Sequence, residues 1–171
     1  MAAQSVLRII GLFTYMVPMG IQSSANFLIG KFIGKNRVDL AKRIAKLIAL
    51  VALIWSILSV IFVYSLRKNI LSIFTGDNDI KSTMINAWGV ITIFVFFDCI
   101  QGVANGAIIG LGTIARVKWV TVLDYWVIGI PISLYFMFNQ DLGIKGLWIG
   151  PTVAVVLNFI FYSWEIFQAD W

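Results

Sequence analysis

The 171 residues are 60% hydrophobic and only 12% charged, whereas soluble domains carry about 25% charged residues. One cysteine and no histidine exclude a disulfide framework, His-ligated haem or zinc, and Ser-His-Asp chemistry. The net charge of +5 does not mark a nucleic-acid binder, because the basic residues fill the gaps between long apolar blocks and no nucleic-acid module is present.

A membrane-crossing helix needs about 20 apolar residues, and five blocks reach that length. The first covers about residues 9–30. No basic residue precedes Arg8, and the apolar run is a full span long, so this block reads as a retained helix and not a cleaved leader. Pro18 should bend or loosen it. Ser23, Asn26 and Gly30 share one face, which suits either helix packing or a cavity wall. The link GKFIGKNRVDLAKRIAK carries six Lys or Arg. The second span covers about residues 47–66. The link RKNILSIFTGDNDIK follows, with a turn signal at Gly76-Asp77-Asn78.

The third span, about residues 84–110, contains FFDCIQGVANGAIIGLG. A carboxylate near the middle of a span costs about 2.5–3.5 kcal/mol on insertion scales, so Asp98 must face protein or water. Gln101 and Asn105 lie on its helix face. Gly102, Gly106 and Gly110, spaced by four, make a groove that lets another helix come close. Asp98 then serves either as a hydrogen-bonded tie between helices or as a site where a proton or cation exchanges. Cys99, inside the same block, reads as a small buried hydrophobe.

Arg116 and Lys118 lead into the fourth span, about residues 118–138. Asp124 near its start reads as a partly wet interfacial aspartate, with cavity lining alongside Tyr125 as the sharper alternative. Gly129-Ile130-Pro131 should kink this helix, either as a static bend or as a hinge. NQDLGIK leads to the fifth span, about residues 146–165. Links one and three hold six and two basic residues, and the N-terminus with links two and four holds the other five of 13. The basic bias puts links one and three in the cytoplasm, the N-terminus outside and the C-terminus inside. Trp88, Trp119, Tyr125, Trp126, Trp148 and Trp164 lie toward span ends, as an aromatic belt would. No phosphate loop, dinucleotide fingerprint or acid–base pair supports an enzyme. Asp98 and Asp124 are on different spans, and no cofactor is called for.

Four segments together resemble the multidrug and toxic compound extrusion (MATE) family. They are PMGIQSSANFLIGKFIGKNRVDLAKR, FFDCIQGVANGAIIGLG, DYWVIGIPISLYF and LGIKGLWIGPTVA. The resemblance implies an all-α polytopic membrane protein, with residues 1–171 as a single transmembrane domain. Its five helices would correspond to helices eight to twelve, most of the C-terminal six-helix lobe of a twelve-helix transporter. It implies a secondary active efflux antiporter, or a fragment of one, that exchanges organic cations for H+ or Na+. Asp98 would be the coupling residue, and Gln101, Asn105, Asn26, Asp124 and Tyr125 would line the cavity. Gly102, Gly106, Gly110, Gly129, Pro131 and Pro18 would serve packing and hinge motion. The resemblance also implies an acidic partner for Asp98 on a preceding helix outside this chain, so that the N-terminal lobe or a partner chain is needed for transport. A non-transporting accessory subunit and a lipid-linked sugar flippase of the same superfamily are the alternatives.

Overall fold

The computed structural model describes residues 2–74, 76, 78–169 and 171. Among these it is helical nearly throughout, without strands. Helix α1 spans Ala2–Gly34, α2 Val38–Ser65, α3 Arg67–Phe74, α4 Asn78–Leu111, α5 Ile114–Leu123, α6 Ile130–Leu134 and α7 Gly143–Gln168. α5 and α6 are parts of one continuous span, Ile114–Asn139, with π-helical turns at Asp124–Gly129 and Tyr135–Asn139. Among the described residues five helices are thus long and apolar enough to cross a membrane.

The helices begin several residues before the apolar blocks and end within a few residues of them. Hydropathy reports which residues meet lipid, while a helix continues into polar surroundings as long as its backbone bonds are made. Most of the basic first link is therefore helical, and only Lys35–Arg37 separates α1 from α2. Asn36 closes α1 in the left-handed conformation at φ 56°, with its N–H bonded to the Ile33 carbonyl and that of Arg37 to Phe32; asparagine tolerates this region better than most side chains. The second link, for which only a turn was expected, also contains α3. The turn expected at Gly76-Asp77-Asn78 includes Asp77, which lies outside the described residues.

α4 is the central element. α1 and α7 pack along it most extensively, α2 leans on both α1 and α4, and the fourth span packs against α7. Two larger apolar clusters stack along the bundle, and a third, smaller one gathers Ile108, Val117 and Tyr162. One of the larger two joins Leu7 and Ile10 of α1 to Val63, Met84, Trp88, Ile91 and Trp148. The other joins Ala25 and Ile29 to Ile48, Ala52, Val103 and Ala107. Trp88 and Trp148 therefore correct the aromatic-belt reading: they are 2% and 9% exposed and belong to the core. Trp148 reaches a polar partner inside the protein, donating to Gln4 Oε1 at 2.9 Å. Trp119, Trp126 and Trp164 are exposed, as interfacial rings would be.

Pro18 lies inside α1 and Pro151 inside α7. A proline cannot donate to the carbonyl four residues back, and in lipid that carbonyl needs another donor. Neighbouring helices supply it. The Thr14 carbonyl accepts from Trp55 Nε1 of α2 at 3.3 Å and lies 3.9 Å from the Cys99 thiol. The Leu147 carbonyl accepts from Ser133 Oγ of α6 at 2.9 Å. Each proline is thereby tied to a specific helix–helix contact.

Candidate functional site

The glycines of α4 bring α1 unusually close. A Cβ on Gly106 would collide with the backbone carbonyl of Gln22, and one on Gly110 would lie 2.9 Å from the Asn26 carbonyl. A Cβ on Gly102 would enter the Tyr15 ring. Opposite Gly110, Gly30 of α1 leaves the second half of the same contact free of side chains. This approach carries the α1 side chains at Tyr15 and Gln22 onto the polar face of α4, where Tyr15 donates to Gln22 Oε1 at 3.1 Å.

A second close seam lies between α7 and the fourth span. Gly150 meets Gly129 and Ser133, and Gly146 meets the backbone of Phe136 and Met137. It brings Asp124 and Tyr125, in the π-helical turn, toward α4. A π turn adds a residue to the helical repeat and rotates the side chains that follow. Asp124 is 8% exposed, less than expected of a partly wet interfacial group: its side of the turn faces the bundle, while Trp126 and Val127 of the same turn face outward. Tyr162 of α7 shares a 2.6 Å hydrogen bond with Thr121 of α5.

Asp98 is the carboxyl side chain at the centre of this arrangement. Tyr15, Tyr125 and Tyr162, from three different helices, lie near one another, and Tyr15 and Tyr125 also lie near Asp98. Asp124 lies near Tyr125 as well. Asp98 is partly buried, between the two larger apolar clusters. Among the described residues no hydrogen bond or ion pair reaches its carboxylate. Gln101 is buried and Asn105 partly so, on the same helix face. Asn26 contributes its backbone to the α1–α4 contact while its side chain is exposed; it stands apart from the Asp98 group. Asp98, Tyr15 and Tyr125 are thus brought together, with Tyr162 behind the two tyrosines; Gln101 and Asn105 extend the same stripe, and Asn26 does not join them.

Sequence reasoning passed over Tyr15, Tyr162 and Asn158. Tyrosine in a membrane helix reads as an interfacial residue, so its position gave no signal. Asn158 is 0% exposed. Its Nδ2 donates to the Ala154 carbonyl at 2.9 Å, and its Oδ1 has no partner among the described residues. An amide alone in the apolar run VAVVLNFIF was the available signal. Three or more His, Cys, Asp or Glu grouped to hold a metal are absent among the described residues.

The sequence pattern of the MatE family matches residues 1–135. The chain belongs to the MatE family. The MatE chain is 27% identical to the rabbit (Oryctolagus cuniculus) Multidrug and toxin extrusion protein 1 over 100% of its own length and 30% of that protein. It is 28% identical to the Probable multidrug resistance protein NorM of Pasteurella multocida strain Pm70, over 85% of this chain and 32% of that one. Its fold matches the eukaryotic MATE transporter AtDTX14 with a TM-score of 0.94 at 19% identity, over 99% of this chain and 38% of that one. The chain therefore spans about a third of the length of the relatives it matches.

Proposed function

We propose that this MatE chain is the C-terminal part of a secondary active efflux transporter, and that an organic cation and H+ or Na+ exchange at the Asp98 face of α4. In this reading residues 1–171 form one transmembrane unit equivalent to helices eight to twelve. A second helical body, in the same polypeptide or another, provides the facing wall. Alternating access arises when the two bodies rock about the site between them.

The observation that carries the proposal is Asp98: a carboxylate at mid-span, flanked by Tyr15 of α1 and Tyr125 of the fourth span, and holding no hydrogen bond or ion pair among the described residues. A carboxylate used only to tie helices together would be bonded to them, because an unpaired charge in this setting is costly. One left open can take a proton or a cation. The partly exposed rings of Tyr15 and Tyr125 offer π faces to an organic cation, an attraction worth about 2 kcal/mol when desolvated. Gln101 and Asn105 provide neutral polar lining on the same face.

The test is ethidium efflux from proteoliposomes holding the complete transporter, driven by an imposed pH or sodium gradient. Asp98→Asn preserves shape and removes the exchangeable charge. It should abolish gradient-coupled efflux while the protein inserts and elutes normally. Normal coupled efflux by Asp98→Asn sinks the assignment, and an absence of flux in the unmutated transporter favours an accessory, non-transporting role.

A further inference from the structure

On the side of α4 opposite Asp98 the bundle encloses an apolar cavity of about 480 Å³. Four helices wall it: Ile29 of α1, Ala52 of α2, Val103 and Ala107 of α4, and Phe159 and Ile166 of α7. Its volume falls in the range of roughly 300–1,000 Å³ typical of small-molecule sites. On α4, Ile100, Val103 and Ala107 lie on the helix face opposite Asp98, Gly102 and Asn105, so the cavity is separate from the tyrosine-flanked face.

The cavity's mouth is basic. Lys42 and Lys46, one turn apart on α2, both line it, both are exposed, and neither has an ion-pair partner among the described residues. They precede the apolar run that begins at Leu47, so they stand at the level of lipid headgroups while Ile48 and Ala52 lie deeper. The end of α1, the start of α2, the end of α4 and the end of α7 all meet at this end of the bundle. All eight basic residues of links one and three are gathered there. Ser163 and the Trp171 side chain, whose Nε1 donates to the Ile166 carbonyl at 3.3 Å, sit at the same mouth.

We propose that this cavity holds an anionic phospholipid from the leaflet at the basic end, with its phosphate between Lys42 and Lys46 and an acyl chain against Val103, Ala107 and Phe159. An apolar interior, two unpaired cations one helical turn apart, and placement at headgroup depth together match an amphipathic anion and not a soluble one. Basic pockets between membrane helices hold lipid phosphates for the same reason. The site differs from the proposed exchange site in both position and charge preference, so it stands or falls independently of transport.

The complete transporter, purified in detergent, is titrated with an equimolar mixture of phosphatidylglycerol and phosphatidylcholine, and bound lipid is read by native mass spectrometry. Phosphatidylglycerol should be retained preferentially, at one molecule per chain. Removing both charges with Lys42→Gln and Lys46→Gln should weaken its retention about 30-fold. Lys35→Gln with Arg116→Gln removes as much charge from the same end but outside the cavity, and should leave retention unchanged. Ala49→Trp, which fills the cavity from its exposed α2 wall, should displace the lipid. Equal retention of the two lipids, or equal losses in the two double variants, would show diffuse surface attraction and overturn the proposal. So would an absence of retained lipid, the outcome expected if another protein helix covers the cavity.

Discussion

Asn158 is buried in α7 with half of its amide unsatisfied. Leaving a buried acceptor unpaired costs about 1–3 kcal/mol, and replacing it with an apolar side chain of similar shape removes that cost. Asn158→Leu should therefore leave the thermal unfolding temperature in detergent unchanged or raise it. A clear fall would mean that Oδ1 bonds to something essential to the fold. Glycines give a sharper contrast of sign. Gly106→Ala drives a methyl into the Gln22 carbonyl, backbone against backbone, where neither can rotate away; overpacking of this kind costs about 1–3 kcal/mol. Gly20→Ala, on the same bundle but with open space around it, should stabilise by up to about 1 kcal/mol through helix propensity alone. Guanidinium unfolding of the two variants decides between them, and a stable Gly106→Ala would mean that α1 stands farther from α4. Asp98 was legible in the sequence because a carboxylate inside an apolar run is conspicuous. Its flanking tyrosines were not, because which helix approaches which, and at what height, depends on the glycine contacts and not on local pattern.

The helices themselves were the most legible level, since five apolar runs of bilayer length admit few other structures. Their ends were less so, and α3 was missed because RKNILSIF is too short and too polar to show as a span. The interhelical bonds to Thr14 and Leu147 carbonyls were also hidden, although their cause was visible: each carbonyl lies four residues before a proline. That relation makes a testable coupling. In the natural sequence Trp55→Phe removes the donor from a carbonyl that Pro18 has left open, and should cost about 0.6–1.7 kcal/mol, the span measured for interhelical bonds in membranes. In a Pro18→Ala background the helix regains its own N–H donor, and the same Trp55→Phe change should cost close to nothing. Unfolding free energies of the four proteins in detergent form a double-mutant cycle. Equal costs in both backgrounds would show that Trp55 acts through packing and not through the freed carbonyl.

At the scale of the whole molecule α4 divides the bundle in two. One side carries Asp98 and its tyrosines; the other carries the cavity under Lys42 and Lys46. Two glycine seams, α1 against α4 and α7 against the fourth span, hold the helices in that order. The same order separates charge along the membrane normal. Lys35 stands at the junction of α1 and α2, at the end that collects eight basic residues. Gln140 lies between the fourth span and α7, at the opposite end. If the basic end faces the cytoplasm, as its charge bias argues, the two positions meet different compartments. The one natural cysteine, Cys99, is 1% exposed, so it gives little background to a thiol reagent. Gln140→Cys in intact cells should react with a membrane-impermeant maleimide, while Lys35→Cys should react only after the membrane is opened. Both positions are exposed, so neither substitution disturbs the packing being tested. The reverse pattern of labelling would invert the proposed orientation, and would place the cavity mouth and its lysines against the outer leaflet.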